Sequence, residues 1–470
     1  HTLSLTQGIY LENIVISKSL SLTASDPWST VLDGNTLGRV ISITPGVSVS
    51  IASVTIQNGQ VIDGSNGGGI SNQGVLTLTN SYVIDNWVSF FDSIPGGGGI
   101  YNTGTLNVIS CTISHNSATG IDEVGLGIAN LGVLRISDSV IDQNYNYVSP
   151  PPGSALYNAG EVSLHNVTIS QTTGAGIHNR AGGLLSLSNS VVGHNSGNLT
   201  GGIYNNGLMT VTASLVTANS TGIAGITAYR EAGGIFNNNT LTVLNSTISE
   251  NEACETGSGI YNAGSLRMDG STVSDNKHFC IPAVGGAGIT NDGTLSVTNS
   301  TLSRNTSSAG GGLLAHAGIV ELNNVTIADN VAQQTGGGIS HITGTLQIQN
   351  TVIARNAGGV APDCAGSLTS LGNNLVGNSD GCTFVPESSD LVGTGAQPIN
   401  ALLGPLGNFG GYNLTIGLIP GSPAIDAGNP AICSSLDQRG YARQGTCDIG
   451  AYEFGVGPGV QFGYIPLMRK

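Results

Sequence analysis

The chain is predicted to be all-β, a right-handed parallel β-helix (solenoid) of about 13–15 three-faced coils with a disulfide-stapled C-terminal cap. Three observations predict it. A unit of some twenty residues recurs along most of the sequence: GGGISNQGVLTLTNSYVIDN (Gly67–Asn86), GGGIYNTGTLNVISCTISHN (Gly97–Asn116), GSGIYNAGSLRMDGSTVSDN (Gly257–Asn276) and GAGITNDGTLSVTNSTLSRN (Gly286–Asn305) are four copies. Within each copy, apolar and polar residues alternate with period two, the signature of strands with one face buried. The large changes of length between copies fall at one place in the unit.

The repeats can be registered on the Ile or Leu that follows the glycines: Ile70, Ile100, Ile128, Leu156, Ile177, Ile203, Ile235, Ile260, Ile289, Leu313 and Ile339. The distance from each to its closing residue, such as Asn86, Asn116 or Thr172, is 16 in eight of the eleven units. From the closing residue to the next unit the gap runs from 5 to 16 residues. The fixed part therefore builds the coil, and the variable part forms loops along one edge. In the Gly97 unit Leu106 and Val108, then Cys111 and Ile113, alternate inward. Burying about four such side chains contributes roughly 6–12 kcal/mol. Ordering twenty residues costs more, at about 1–2 kcal/mol each. A lone unit cannot stand, so units must stack, strand on strand, about 4.8 Å apart. A right-handed sense is expected for parallel crossovers.

From the N-terminus, residues 1–60 read as introductory coils, with alternation in Glu12–Ser25 and Arg39–Gly59, and residues 61–360 as GGGIYN-type repeats. The chain opens in a strand-like pattern, so His1 reads as a processing site or a limit of the chain studied. Two Asn columns recur: the closing Asn residues, and Asn72, Asn102, Asn130, Asn158, Asn179, Asn205, Asn237, Asn262 and Asn291. Asn suits turns, tolerating left-handed backbone, and stacked Asn amides can bond one another along the axis. Sequons at Asn245, Asn299 and Asn324 fall out of this repeat and do not argue for glycosylation. Cys111 shares an inward column with Ser81, Ser139 and Ser190, so it reads as a buried, inert thiol.

Composition bounds the function. There are 470 residues, 72 of them Gly; 39% are hydrophobic and 9% charged, with a net charge of −15. An acidic chain without basic clusters is no footprint for nucleic acid or anionic lipid. No apolar run is long enough for a transmembrane helix. The seven Cys lack metal spacing. Six fall into the pairs Cys254–Cys280, Cys364–Cys382 and Cys433–Cys447, each closing a short loop worth about 3 kcal/mol. Such pairing points to an oxidising, extracellular setting. No metal and no cofactor is expected.

Residues 361–454 depart from the repeat, with a last coil at Asp363–Cys382 and then the motifs LGPLGNFGG (Leu403–Gly411), GSPAIDAG (Gly421–Gly428), DQRGYAR (Asp437–Arg443) and CDIGAYE (Cys447–Glu453). These resemble the C-terminal part of the bacterial choice-of-anchor Q family, where such motifs follow a right-handed parallel β-helix of GGGIYN repeats. The repeats also resemble polymorphic outer-membrane and autotransporter passenger repeats, less specifically. The resemblance implies a secreted or surface-attached protein with a variable anchoring end, and no settled activity. From the residues themselves, the segment reads as a cap over the last coil, where a solenoid exposes strand edges. Arg439 is expected to lock onto Asp426 or Asp448. Residues 455–470 form a Gly/Pro linker and an apolar, basic-tipped tail. The tail reads as an anchoring segment or an added strand on a neighbour.

Catalysis in such a fold would call for carboxylates converging on one groove, about 5–9 Å apart. The column preceding each closing residue, which includes Asp85, His115, Glu250, Asp275, Arg304, Asp329 and Arg355, varies in kind and reads as a solvated edge. The best candidate binding surface is the variable-loop edge. Trp87, Phe90, Phe91, Tyr145 and Tyr147 offer aromatic surface there; Tyr229, Arg230, Glu231, Glu252, Glu255, Lys277 and His278 offer charge. Exposed aromatics suit sugars or a protein interface. No residue is assigned a catalytic role. The leading expectation is a non-enzymatic, extracellular or cell-surface structural or adhesive protein that assembles with copies of itself through its ends and tail into a filament, sheath or layer. The rivals are a carbohydrate-active enzyme (polysaccharide lyase or glycoside hydrolase) and a carbohydrate-binding protein, either one working at the loop edge on a cell-surface polysaccharide.

Overall fold

The computed structural model describes residues 1–89, 96–119, 124–146, 153–221, 232–254, 256–279 and 285–457. They are all-β, and the strands of successive coils pair in parallel, the register of a β-solenoid. The chain divides into two compact units, His1–Met209 and Thr210–Lys470.

In the first unit a typical coil carries a three-residue strand such as Ile100–Asn102, a five-residue strand such as Thr105–Ile109 and another three-residue strand such as Thr112–Ser114, the last two running together in Val133–Asp142 and Glu161–Ser170. A short fourth strand, Ser117–Thr119, follows the closing Asn. Stacking keeps the sequence register: Ile70 pairs with Ile100, Ile100 with Ile128, Ile128 with Leu156, Leu156 with Ile177 and Ile177 with Ile203. Leu76, Leu106 and Leu134 stack inside, as do Val83, Ile113 and Ile141, all fully buried. Cys111 is buried and free, and burial pushes its thiol up to about 11, as an inert interior residue requires.

The asparagines hold the interior rather than the turns. Asn72 Nδ2 donates to Asn102 Oδ1 at 2.7 Å, Asn102 to Asn130 at 2.7 Å, Asn130 to Asn158 at 2.9 Å, Asn158 to Asn179 at 2.8 Å and Asn179 to Asn205 at 2.8 Å. A second ladder runs from Asn86 to Asn116 and on to Asn144. The left-handed backbone expected of these asparagines belongs to other residues. It falls on the residue before each closing position, Asp85, His115 and Gln143, and on the bend residues Asn80, Ser110 and Asp138. The bends turn the chain, and the Asn that follows is thereby pointed inward to spend its amide on the ladder.

The second unit repeats this plan. Ile235, Ile260, Ile289, Leu313, Ile339 and Cys364 stack in register. The closing ladder is unbroken from Asn219 through Asn251, Asn276, Asn305 and Asn330 to Asn356, and it ends on the carboxylate of Asp363 at 3.0 Å. Of the sequon asparagines, Asn299 and Asn324 are buried, so neither offers an amide for glycosylation.

The disulfides Cys364–Cys382 and Cys433–Cys447 form as expected. Cys254 is also disulfide-bonded, while its expected partner Cys280 lies outside the described residues. The C-terminal segment does more than cover the last coil. From Ala401 to Glu453 it runs back along the flank formed by the strands Thr247–Ser249, Thr272–Ser274, Thr301–Ser303, Thr326–Ala328 and Val352–Ala354. Thr272 Oγ1 donates to Leu414 O at 2.6 Å, Gln438 Nε2 donates to Thr272 Oγ1 at 2.8 Å, and Ala451 N donates to Thr326 Oγ1 at 3.0 Å. Ala328, Val352 and Ala354 pack with Leu403, Leu406, Ile416, Leu418 and Ile449 in a second apolar core outside the solenoid.

Candidate functional site

The charges concentrated in the C-terminal segment face inward and fasten it. Arg439 pairs with Asp437, with Nε donating to Oδ2 at 2.8 Å, and not with Asp426 or Asp448 as expected. Asp437 lies two residues away and already accepts the backbone N–H groups of Arg439 and Tyr441, which hold its carboxylate in reach. The guanidinium also stacks 3.7 Å over the Tyr452 ring. Arg443 pairs with Glu453 at 3.1 Å and donates to Asn299 Oδ1 at 3.2 Å, tying this knot to the solenoid. Asp448 accepts from the N–H groups of Asp426 and Phe454, and burial pushes its carboxyl up to about 6. These side chains are buried and bonded to one another and to the backbone of the segment, which makes them a structural fastening.

The loop edge is only partly assembled from described residues. Phe90, Phe91, Tyr147, Tyr229, Arg230, Glu231 and Glu255 lie outside them. In the first unit Trp87 pairs in register with Ser117, which bridges to Tyr145. The two aromatics thus share one edge, two coils apart, each half-buried. In the second unit Glu252 lies directly beside Lys277 on the next coil, both exposed. His278 does not join them. Alternation along Lys277–His278 turns it inward beside Ala253, and it is buried. The column preceding the closing residues is the solvated edge expected of it, left-handed at each position, with Arg304 on Asp275 and Arg355 on Asp329 at 2.7 Å.

A better-formed site lies on the outer face of the five-residue strands in the second unit. Thr294–Thr298, Ile319–Asn323 and Thr345–Gln349 stack so that Ser296, Glu321 and Gln347 form one outward column and Thr298, Asn323 and Gln349 the next. With Leu371 they line a cavity of about 330 Å³. Asn323 is occupied: its amide donates to Ile432 O at 3.0 Å and so seats the Cys433 loop beside the groove. Among the described residues, the side chains of Ser296, Thr298, Glu321, Gln347 and Gln349 make no hydrogen bond or ion pair within the chain, and they remain available to a ligand. Sequence reading missed this groove because it searched the edge columns. The readable signal was the outward positions of the five-residue strands, which change from Thr and Ser to Glu, Asn and Gln over these coils.

Among the described residues no group of His, Cys, Asp and Glu is arranged to hold a metal ion. Among the same residues no helix is long and apolar enough to cross a membrane.

No protein-family model and no curated protein matches the chain. Solved structures similar to it include the pectate lyase Pel9A, at 11% identity and a TM-score of 0.33 over 93% of this chain and 88% of that one. A GH87 α-1,3-glucanase catalytic domain in complex with tetrasaccharides matches at 13% identity and a TM-score of 0.28, over 85% of this chain and 63% of that one. A mannuronan C-5 epimerase A-module from Azotobacter vinelandii matches at 10% identity and 0.26, over 83% and 89%. At these values the likeness says nothing of what this chain binds.

Proposed function

We propose that the chain is an extracellular, cell-surface-associated adhesive β-solenoid that acts by binding rather than by turnover. The observation that carries this reading is how its polar groups are divided. The Asn ladders and the buried Asp437–Arg439 and Glu453–Arg443 pairs are committed to structure, while uncharged amides and hydroxyls dominate the groove over Thr294–Thr298, Ile319–Asn323 and Thr345–Gln349. The disulfides Cys364–Cys382 and Cys433–Cys447 fit an oxidising compartment. The resemblance of the C-terminal motifs to the choice-of-anchor Q family supports surface attachment. The purified chain should be retained on insoluble cell-surface material and release no product from acidic or neutral polysaccharides, with or without Ca²⁺. Reproducible product release would replace this reading with that of an enzyme.

Self-association is a second reading, favoured by the first coil. Leu3, Ile9, Leu11 and Val15 are more than half exposed there. Ile9→Asp with Val15→Asp should then lower the sedimentation coefficient of any assembly the native chain forms. An unchanged coefficient removes the first coil from the contact.

A further inference from the structure

We infer that the groove over Thr294–Thr298, Ile319–Asn323 and Thr345–Gln349 is a binding subsite for a neutral oligosaccharide; this rests on the adhesive reading and names its ligand class. Its volume, about 330 Å³, is at the small end of ligand pockets. Ser296, Thr298, Gln347 and Gln349 present groups that both donate and accept, as sugar hydroxyls do. They lie two coils apart, about 10 Å at 4.8 Å per coil, with Glu321 between them as an acceptor, so a chain-like ligand meets polar groups on three stacked coils.

The surrounding chemistry narrows the class. Glu321 is the single ionisable residue lining the groove, and it accepts hydrogen bonds while repelling anions. The nearest cation in its column, Arg267, already pairs with Asp269 at 3.2 Å. A uronic-acid polymer, a phosphate ester or a nucleic acid would therefore meet an uncompensated carboxylate on a chain of net charge −15. An extended peptide gains little, because the backbone on this face is spent on neighbouring coils and offers no free strand edge. Leu371, 47% exposed at the end of the groove, supplies apolar surface for the C–H face of a pyranose ring.

The test is titration of the intact protein with a panel of neutral hexasaccharides (β-1,4-glucan, β-1,3-glucan, α-1,4-glucan and mannan) and with a hexagalacturonate, read by saturation-transfer NMR and calorimetry. At least one neutral oligomer should bind with a dissociation constant of roughly 0.1–10 mM, and the hexagalacturonate should bind at least tenfold more weakly. Gln347→Ala with Gln349→Ala should weaken the neutral ligand tenfold or more. Ser163→Ala, on the same strand row in the first unit, should leave it unchanged. Glu321→Gln should narrow the gap between acidic and neutral ligands. Equal binding of the acidic oligomer, neutral binding untouched by the double variant, or no neutral binding across the panel would each overturn the inference. If the double variant is still retained on cell-surface material, adhesion resides on another face and only the groove assignment falls. If soluble neutral sugars bind but the native chain is not retained, the subsite stands and the adhesive reading falls.

Discussion

The flank formed by the second three-residue strand of each coil differs between the two units. In the first unit the first outward residue of that strand is varied and half-exposed, as Tyr82, Thr112, Val140, Thr168 and Val191, with Trp28 packed 4.4 Å from the Tyr82 ring. In the second unit the residues at that same strand position, Thr272, Thr301, Thr326 and Val352, are buried. The same strands, in the same register, carry a bare face in one unit and the seat of the C-terminal segment in the other. Inward positions of a repeat are fixed by the coil itself. Outward positions are free, so burial of a whole outward column records a neighbour that the coil did not need.

The largest expected effect tests that difference. Ala328→Arg places an unpaired charge in the second apolar core and should cost about 3–5 kcal/mol. Limited proteolysis should then cut within residues 401–457 of the variant but not of the native chain. Thr168→Arg, on the half-exposed flank, should change stability by under about 1 kcal/mol.

Removal of one ladder amide comes next. Asn102→Ala in the first unit leaves the Asn72 amide and nearby carbonyls without their bonds, at about 1–3 kcal/mol per buried group. Asn276→Ala should behave alike in the second unit, since the ladders, unlike the flanks, are common to both. Chemical denaturation of the two variants checks this.

Disulfides give a third comparison. Cys433→Ser with Cys447→Ser should destabilise the C-terminal segment by about 3 kcal/mol, the value for a loop of this length. The first unit, which holds both tryptophans, Trp28 and Trp87, should keep its fluorescence-detected transition.

The smallest effect is one of pH, and its sign differs between the units. His178 in the first unit is held down to about 4 by burial, with the Arg180 charge adding to the shift. Its unfolded form binds the extra proton between pH 4 and 6.5, so this residue's contribution is present above 6.5 and is lost as pH falls through that window. Asp448 in the second unit is raised to about 6, so its folded form binds the extra proton. Its contribution is present below the ordinary carboxylate range and is lost as pH rises through 6. His178→Gln should therefore reduce the acid sensitivity of the tryptophan-detected transition. Asp448→Asn should flatten the pH dependence of proteolysis within residues 401–457.

Strand register and the inward columns were readable because each unit restates them: Ile100 lies against Ile128 as their shared place after the glycines requires. The asparagine ladders were half-readable. That stacked amides bond one another follows from the columns, but which residue takes the left-handed bend does not. Positions such as His115 and Ala218 adopt it with no residue preference to announce them. The partner of Arg439 was not readable either, because Asp426, Asp437 and Asp448 are equivalent as charges. Only the turn that aims backbone N–H groups at Asp437 separates them. The groove over Glu321 and Gln347 depends on side chains from three coils and on the Cys433 loop, so no single repeat displays it. His278 was placed on the wrong side because alternation over a two-residue strand cannot be phased from sequence alone.

The seating of the C-terminal segment is tested most directly by a cross-link between Thr301 and Gln438. Thr301 Oγ1 donates to Gln438 Oε1 at 2.5 Å, across 137 residues of sequence. Thr301→Cys with Gln438→Cys should oxidise to an intramolecular disulfide in the folded chain, seen as one joined peptide pair by mass spectrometry. If both thiols stay free under conditions that leave Cys364–Cys382 and Cys433–Cys447 intact, the segment does not lie on this flank, and the contrast between the two units fails.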